Sequence, residues 1–456
     1  MSRLTLNPVT ANPARSQTPY FHREDWCSFA LATVLVFIGY WFSLADNVGL
    51  GFSGIYSVGA SYMGVPHPPG YPIWTMYGWL FTKLLPFSNI AWRLAISSAV
   101  TGALTCGVVA LIVSRSSRTL LAGINGLQKL SLQDDRWLRI VAGCVAGMTF
   151  GFDGAFWGKA VIVDVWPLSM LLFATTLCLL FRWAHEPERK CYFVAACFVF
   201  GLTLTNSQAL IPAGLGLMLF VACVDRNLGR DAAFVAGGLL ALWWFGDFFG
   251  ALPGSGLAVR ETKFIFGLIT LLTVGLYAGL AGITRRWFPS RTIFSATVAF
   301  IAGLALYLLV PILSSTNPPV NWGYPRNLEG FAHVLSRGQY EQIRPASNAG
   351  VFLHQLWQFA RSVLKNFGVL STLIALMPIG LLMQMRPTFR RQMLGQLCLI
   401  LSLSLLLVAL LNSPPDPKIT SLVASYYTPV HLLIAIWMGY GLTLLGTRLV
   451  RPRAID

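Results

Sequence analysis

Asp46 and Asp164 are the carboxylates whose type and placement best suit general-base chemistry. Asp46 follows directly on an apolar run, and Asp164 closes the stretch D-G-A-F-W-G-K-A-V-I-V-D that Asp153 opens. A carboxylate beside extended chain at the edge of an apolar run can take the proton of an attacking hydroxyl. It can equally cap a helix or pair with a loop arginine, so residue type leaves both roles open. His67 stands between Pro66 and Pro68 and suits a hydrogen bond to substrate. No second histidine lies at ligand spacing, so a divalent metal is permitted but not indicated. Arg93, Arg326 and Arg337 fall in segments assigned below to the outer side. A guanidinium there either grips a phosphate with two prongs or snorkels to lipid headgroups. With Asp153, His67 and Trp322 they form the candidate substrate-binding set.

The stretch that must position these groups is G-V-P-H-P-P-G-Y-P-I-W, residues 64–74. Pro66, Pro68, Pro69 and Pro72 fix φ and remove backbone donors, so the chain runs extended here. A helix can start only after Pro72, and Pro86 stops it. That helix is too short for the ~20 residues that cross a bilayer. Its Trp74, Tyr77, Trp79 and Lys83 favour the membrane–water interface, which predicts a helix lying on the surface.

Composition places the whole chain. Its 456 residues are 55% hydrophobic and 11% charged, with a mean hydropathy of +0.64. Charge is less than half of the ~25% usual for soluble domains, and apolar runs recur throughout. The sequence therefore predicts an all-α polytopic membrane protein. About twelve spans are expected, near 28–45, 92–114, 138–152, 166–183, 191–205, 209–224, 232–250, 263–284, 292–313, 366–385, 393–411 and 424–446. Residues 1–27 and 447–456 read as cytosolic tails around a single membrane domain, 28–446. The basic excess sits in short clusters between apolar runs, which argues for membrane orientation and against a nucleic-acid partner. With both termini inside, twenty Lys and Arg fall in inner segments and nine in outer ones. This holds only if 71–86 does not cross, leaving long outer loops at 46–91 and 314–365. The eight cysteines lie in or beside apolar runs without a C-x-x-C, so neither disulfides nor a metal site is expected. No phosphate-binding loop is present, which argues against a nucleotide-fuelled pump.

The lead 64–74 together with N-I-A-W-R (89–93) resembles a multispanning family with an H-P-P-G-Y-P signature, related to protein O-mannosyltransferases within the GT-C glycosyltransferases. F-W-G-K-A-V-I-V-D-V-W (156–166), G-L-T-L-T-N-S-Q (201–208) and N-W-G-Y-P-R-N-L-E-G-F-A-H-V-L-S-R-G-Q-Y (321–340) agree in order. The resemblance implies a GT-C-like bundle with interfacial helices in the first outer loop. It also implies an active site on the outer face, a polyprenyl-phosphate-linked sugar as donor, and a catalytic acid in that loop. The acceptor would be a protein, a glycan or a lipid, and the setting a bacterial inner membrane. The family's D-S-G-E segment reads Phe52-Ser53-Gly54-Ile55 here, so both of its acids are missing, and a family Glu is matched by Asp164.

Three functions follow from these readings. The first is a glycosyltransferase with Asp164 or Asp46 as base and outer arginines on the leaving phosphate. The second is a catalytically silent relative that binds lipid-linked glycans. The third is a transporter.

Overall fold

The computed structural model describes residues 19–49, 51–124, 130–248, 260–337, 346, 348–412 and 423–449. Arg344 and the tail 450–456 lie outside them. The described chain is α-helical: α1 Arg23–Phe42, α2 Ser53–Ser61, α3 Pro72–Leu84, α4 Ile90–Gly123, α5 Leu132–Gly151, α6 Gly154–Ala160, α7 Trp166–His185, α8 Lys190–Asn206, α9 Ala213–Val224, α10 Arg226–Phe248, α11 Arg260–Thr284, α12 Arg291–Leu304, α13 Leu309–Ser315, α14 Leu328–Leu335, α15 Ala349–Gly380, α16 Pro387–Leu411 and α17 Thr428–Leu449. The protein is thus an all-α polytopic membrane protein, as its composition requires.

Each of the twelve apolar stretches lies largely on a helix, but they are not equal as spans. Eight described helices are long and apolar enough to cross a membrane, nine if α5 and α6 count as one bent span. Two of the missing spans are short: α8 and α9 have 17 and 12 residues, below the ~20 of a crossing. The α5–α6 pair bends by 74° at Phe152–Asp153, where Asp153 caps α6 by accepting from the Ala155 N–H at 3.0 Å.

Helix α4 is the central post. It starts at Asn89, whose side chain accepts from the Trp92 N–H at 2.8 Å, an N-cap that satisfies an otherwise orphaned donor. α1, α5, α7 and α17 all pack against it, and most of its length is buried. A main core runs along these helices. A smaller apolar cluster sits at one end and joins Tyr56, Tyr71 and Trp74 to Leu94, Val163 and Leu168. That satellite core is the floor on which the proline-rich lead rests.

Helix α3 behaves as its prolines dictate. α3 opens with Pro72 at its first position and ends at Leu84, two residues before Pro86. The loop expected over 314–365 is shorter than its polarity suggested, because α15 already begins at Ala349. Asn348 caps it, accepting from the Val351 N–H at 2.9 Å. α15 breaks at Gly368, whose φ of 75° and ψ of 161° are not helical, so the expected span 366–385 is only its second part.

Candidate active site

The first and second long loops are stitched together. The Val65 N–H donates to the Val320 carbonyl and the Trp322 N–H to the Val65 carbonyl, both at 2.9 Å. These two bonds form a parallel bridge between Val65 and Asn321. Gly64 makes the approach possible, since a Cβ there would stand 2.4 Å from the Val320 oxygen. The bridge sets Trp322 against His67, with ring centroids 5.6 Å apart. Phe52 meets the same imidazole edge-on at 4.6 Å, and Tyr71 stacks at 6.1 Å.

His67 is buried, and its Nδ1 lies 2.8 Å from the Pro68 carbonyl. A carbonyl only accepts, so Nδ1 carries the proton and Nε2 is the acceptor nitrogen of the neutral ring. Burial pulls the histidine below its ordinary pKa. The Pro68 carbonyl opposes that shift, and the positive charge of Arg337 adds to it. Arg337 stands at the end of α14 with φ 55°, and its charge also acts on the buried Tyr71 phenol. His67, Trp322 and Arg337 are therefore brought to one place.

Asp164 is buried where four elements meet. Its Oδ2 accepts from Lys159 Nζ at 2.9 Å and its Oδ1 from the Trp166 N–H at 2.9 Å. Its carbonyl accepts from Trp74 Nε1 at 3.1 Å and from Ser98 Oγ at 3.2 Å. The indole of Trp74 thus ties α3, just after the lead, to the carboxylate's own backbone. Tyr56 bridges the two sides, 5.3 Å from Trp74 and 5.8 Å from Tyr71 by ring centroids. Beneath, Asn206 donates to the Val165 carbonyl at 2.9 Å and Ser169 Oγ at 2.8 Å, while its own side-chain oxygen is buried without a hydrogen bond.

The other candidates sit apart. Asp46 is exposed, and it is its backbone carbonyl that accepts from Asn89 Nδ2 at 2.7 Å. Asp153 is buried in the α5–α6 bend, where its Oδ2 closely contacts Nδ1 of the buried His431. Arg93 donates to three backbone carbonyls, those of Phe87, Thr82 and Ser88, at 2.9, 3.0 and 2.9 Å. Its guanidinium clamps the chain leaving α3. Arg326 donates to Asn317 Oδ1 at 3.0 Å and lies over the Tyr324 ring at 5.4 Å, on the surface.

Sequence reasoning passed over Lys159, Asn206 and His431. Lys159 had a signal, being the one cation between the acids Asp153 and Asp164. His431 had another, as an ionisable residue inside an apolar run. Among the described residues no group of three His, Cys, Asp or Glu side chains is placed to hold a metal.

Comparison with known proteins meets this same region. Residues 53–227 match the family described as the protein O-mannosyl-transferase TMEM260 N-terminal domain. That match takes in the lead, Lys159, Asp164 and Asn206. The protein O-mannosyl-transferase TMEM260 of Mus musculus is 25% identical over 177 residues, 38% of this chain and 21% of the relative. The Dictyostelium discoideum protein O-mannosyl-transferase tmem260 is 25% identical over 226 residues, 46% of this chain and 27% of the relative. The chain is related to these O-mannosyltransferases, and the matched stretch spans about a quarter of their length or less. Both are eukaryotic, so they lend nothing to the bacterial membrane expected above. No solved structure matches the chain.

Proposed function

We propose that the protein is a membrane glycosyltransferase of GT-C type. It moves a sugar, mannose by the names of its relatives, from a polyprenyl-phosphate donor to a hydroxyl of a protein or glycan. The observation that carries this reading is the convergence of the H-P-P-G-Y-P lead, the Trp322 loop and the ion pair of half-buried Lys159 with buried Asp164 at one end of the bundle. The twenty-to-nine charge asymmetry supports an outer position for that end, with both termini cytosolic. In the reaction the acceptor oxygen attacks the anomeric carbon as the carbon–oxygen bond to phosphate breaks. The bonding pair leaves on the phosphate oxygen, and Asp164 takes the acceptor proton. As Asp164 is neutralised its hold on Lys159 weakens, which releases an ammonium toward the growing charge on the phosphate. Arg337 contributes a second positive charge, and neutral His67 with Trp322 forms the wall against the sugar.

A second reading has one specific support. Phe52 and Ile55 stand where the resembled family carries acids, and the Phe52 ring packs on His67. On that reading the protein binds lipid-linked sugars without transferring them. Purified protein in lipid nanodiscs, given polyprenyl-phosphate mannose and a serine- and threonine-rich peptide, separates the two. Mannosylated peptide and free polyprenyl phosphate support the transferase. Saturable donor binding with no turnover supports the silent binder and removes the catalytic roles.

A further inference from the structure

Both oxygens of Asp164 are set by neighbours that lean on one helix. Oδ2 is held by Lys159 and Oδ1 by the Trp166 N–H. Lys159 rides on α6, a seven-residue helix too short to be stable alone. The anchor of α6 is Asp153, which caps it through Oδ1 and meets Nδ1 of His431 through Oδ2. Trp166 is anchored by its ring. Its Nε1 donates to Thr428 Oγ1 at 2.6 Å, and that hydroxyl donates on to the Ser425 carbonyl at 2.7 Å. Thr428 and His431 both stand on the first turn of α17, which packs against α4, α5 and α15. Residues at this spacing share a helix face, so one rigid surface grips the segment 153–166 at its two ends.

A histidine at 431 carries a cost that packing does not explain. The imidazole is buried, Phe367 meets it edge-on with ring centroids 5.4 Å apart, and Nε2 makes no hydrogen bond. A buried ring nitrogen left in that way is destabilising, and leucine would fill the place without the penalty. Among the described residues the one hydrogen-bond partner of the ring is Asp153. A carboxylate accepts, so Nδ1 carries the proton. We propose that His431 and Thr428 are positioning residues for Asp164, one for each of its oxygens. His431 acts through Asp153, α6 and Lys159 on Oδ2, and Thr428 acts through Trp166 on Oδ1. These roles rest on Asp164 being the base of the reaction proposed above. They give α17, which lies outside residues 53–227, a part in the site. A surface tie from Trp157 Nε1 to Ser43 Oγ at 2.9 Å also reaches α6, but it meets neither Asp153 nor Trp166.

The test uses the full chain in lipid nanodiscs and compares Thr428→Val, His431→Leu and His431→Asn with the parent. The asparagine amide restores a donor where Nδ1 stood. In peptide mannosylation, His431→Leu and Thr428→Val are each expected to lose about tenfold or more in kcat, with donor KM within about twofold. His431→Asn recovers to within about threefold of the parent, and Ser43→Ala stays within about twofold. A second readout needs no turnover: the rate at which an amine-reactive label modifies Lys159, followed by mass spectrometry. That rate rises about threefold in the leucine and valine variants, as the ammonium leaves the carboxylate, and returns in His431→Asn. If the parent transfers no sugar while the labelling follows this order, the positioning stands and the transferase reading falls. Unchanged kcat and unchanged labelling in folded His431→Leu and Thr428→Val overturn the positioning, even where the parent is active. An equal loss of kcat in His431→Leu and His431→Asn, with Lys159 labelling unchanged, reduces His431 to packing and overturns it too. Should His431→Leu not fold, Thr428→Val alone is read by both measures against the same limits.

Discussion

The two ends of α4 bury polar groups in different ways. At the Asp164 end they sit on loops and short helices, and each partner comes from another element: Lys159 from α6, the Trp166 amide from α7, the Trp74 indole from α3, Ser98 from α4. At the Arg115 end they sit on the last turns of long helices, and the guanidiniums of Arg115 and Arg182 face Tyr20 with donors to spare. The first arrangement is closed and specific, with Asp164 held in place by four elements. The second is open in charge. An acid that several elements orient can act on a substrate proton, whereas a cation short of an acid partner, as Arg115 is among the described residues, can only attract.

The contrast breaks first at Asp164. Asp164→Asn is expected to lower transfer by roughly a hundredfold or more, while Asp46→Asn stays within twofold of the parent, because the Asp46 side chain is exposed. Initial rates of peptide mannosylation measure both, and an equal loss in the two variants would return Asp46 to the site. Lys159→Met comes next, with a fall of about tenfold to a hundredfold in kcat. Donor KM should change less, since the ammonium is freed only as the proton moves.

Packing carries the third effect. In Gly64→Ala the new Cβ meets the Val320 carbonyl and pries the two loops apart, destabilising the protein by about 1–3 kcal/mol. A lower melting temperature together with lost donor binding is the expected pair of results. Unchanged melting would mean that the Val65–Asn321 bridge does not hold the site.

The smallest effect is a pH slope. His67 is depressed in the folded protein by burial first and then by Arg337, so the unfolded chain takes up its proton first as pH falls. Its stabilising contribution is full above the ordinary value of 6.5 and is lost as pH drops toward the depressed one. His67→Gln should therefore flatten the decline of melting temperature between about pH 7 and pH 5. An unaltered slope would place the acid sensitivity elsewhere.

Much of the first arrangement is legible in the sequence, and most of the second is not. Four prolines and a length limit define the lead, the start of α3 at Pro72 and its end before Pro86, because those constraints are local. The meeting of Val65 with Asn321 is not local. It depends on how α12 and α13 return the chain, so the sequence shows two Pro- and Gly-rich loops and not their register. Arg93 illustrates the same limit: its place at a helix boundary suits either phosphate or carbonyls, and only the path of residues 82–88 decides for carbonyls. Asp164 is readable as an acid beside a lysine in a short loop. That Lys159 turns back onto it depends on α6, a seven-residue helix with no strong pattern. At the far end, Arg115 looks like an ordinary inner-side basic residue, since its lack of an acid partner among the described residues depends on which helices are neighbours, whereas the pairing of Arg182 with Glu186 four residues on is local.

The most direct measurement is where the donor's phosphate binds. A photoreactive polyprenyl-phosphate probe, crosslinked to the reconstituted protein and mapped by mass spectrometry, should label 64–74, 159–166 and 320–337, and lose that labelling in Gly64→Ala. Crosslinks confined to the helix ends around Arg115 and Arg182 would contradict the account and move donor binding to the opposite end of the bundle.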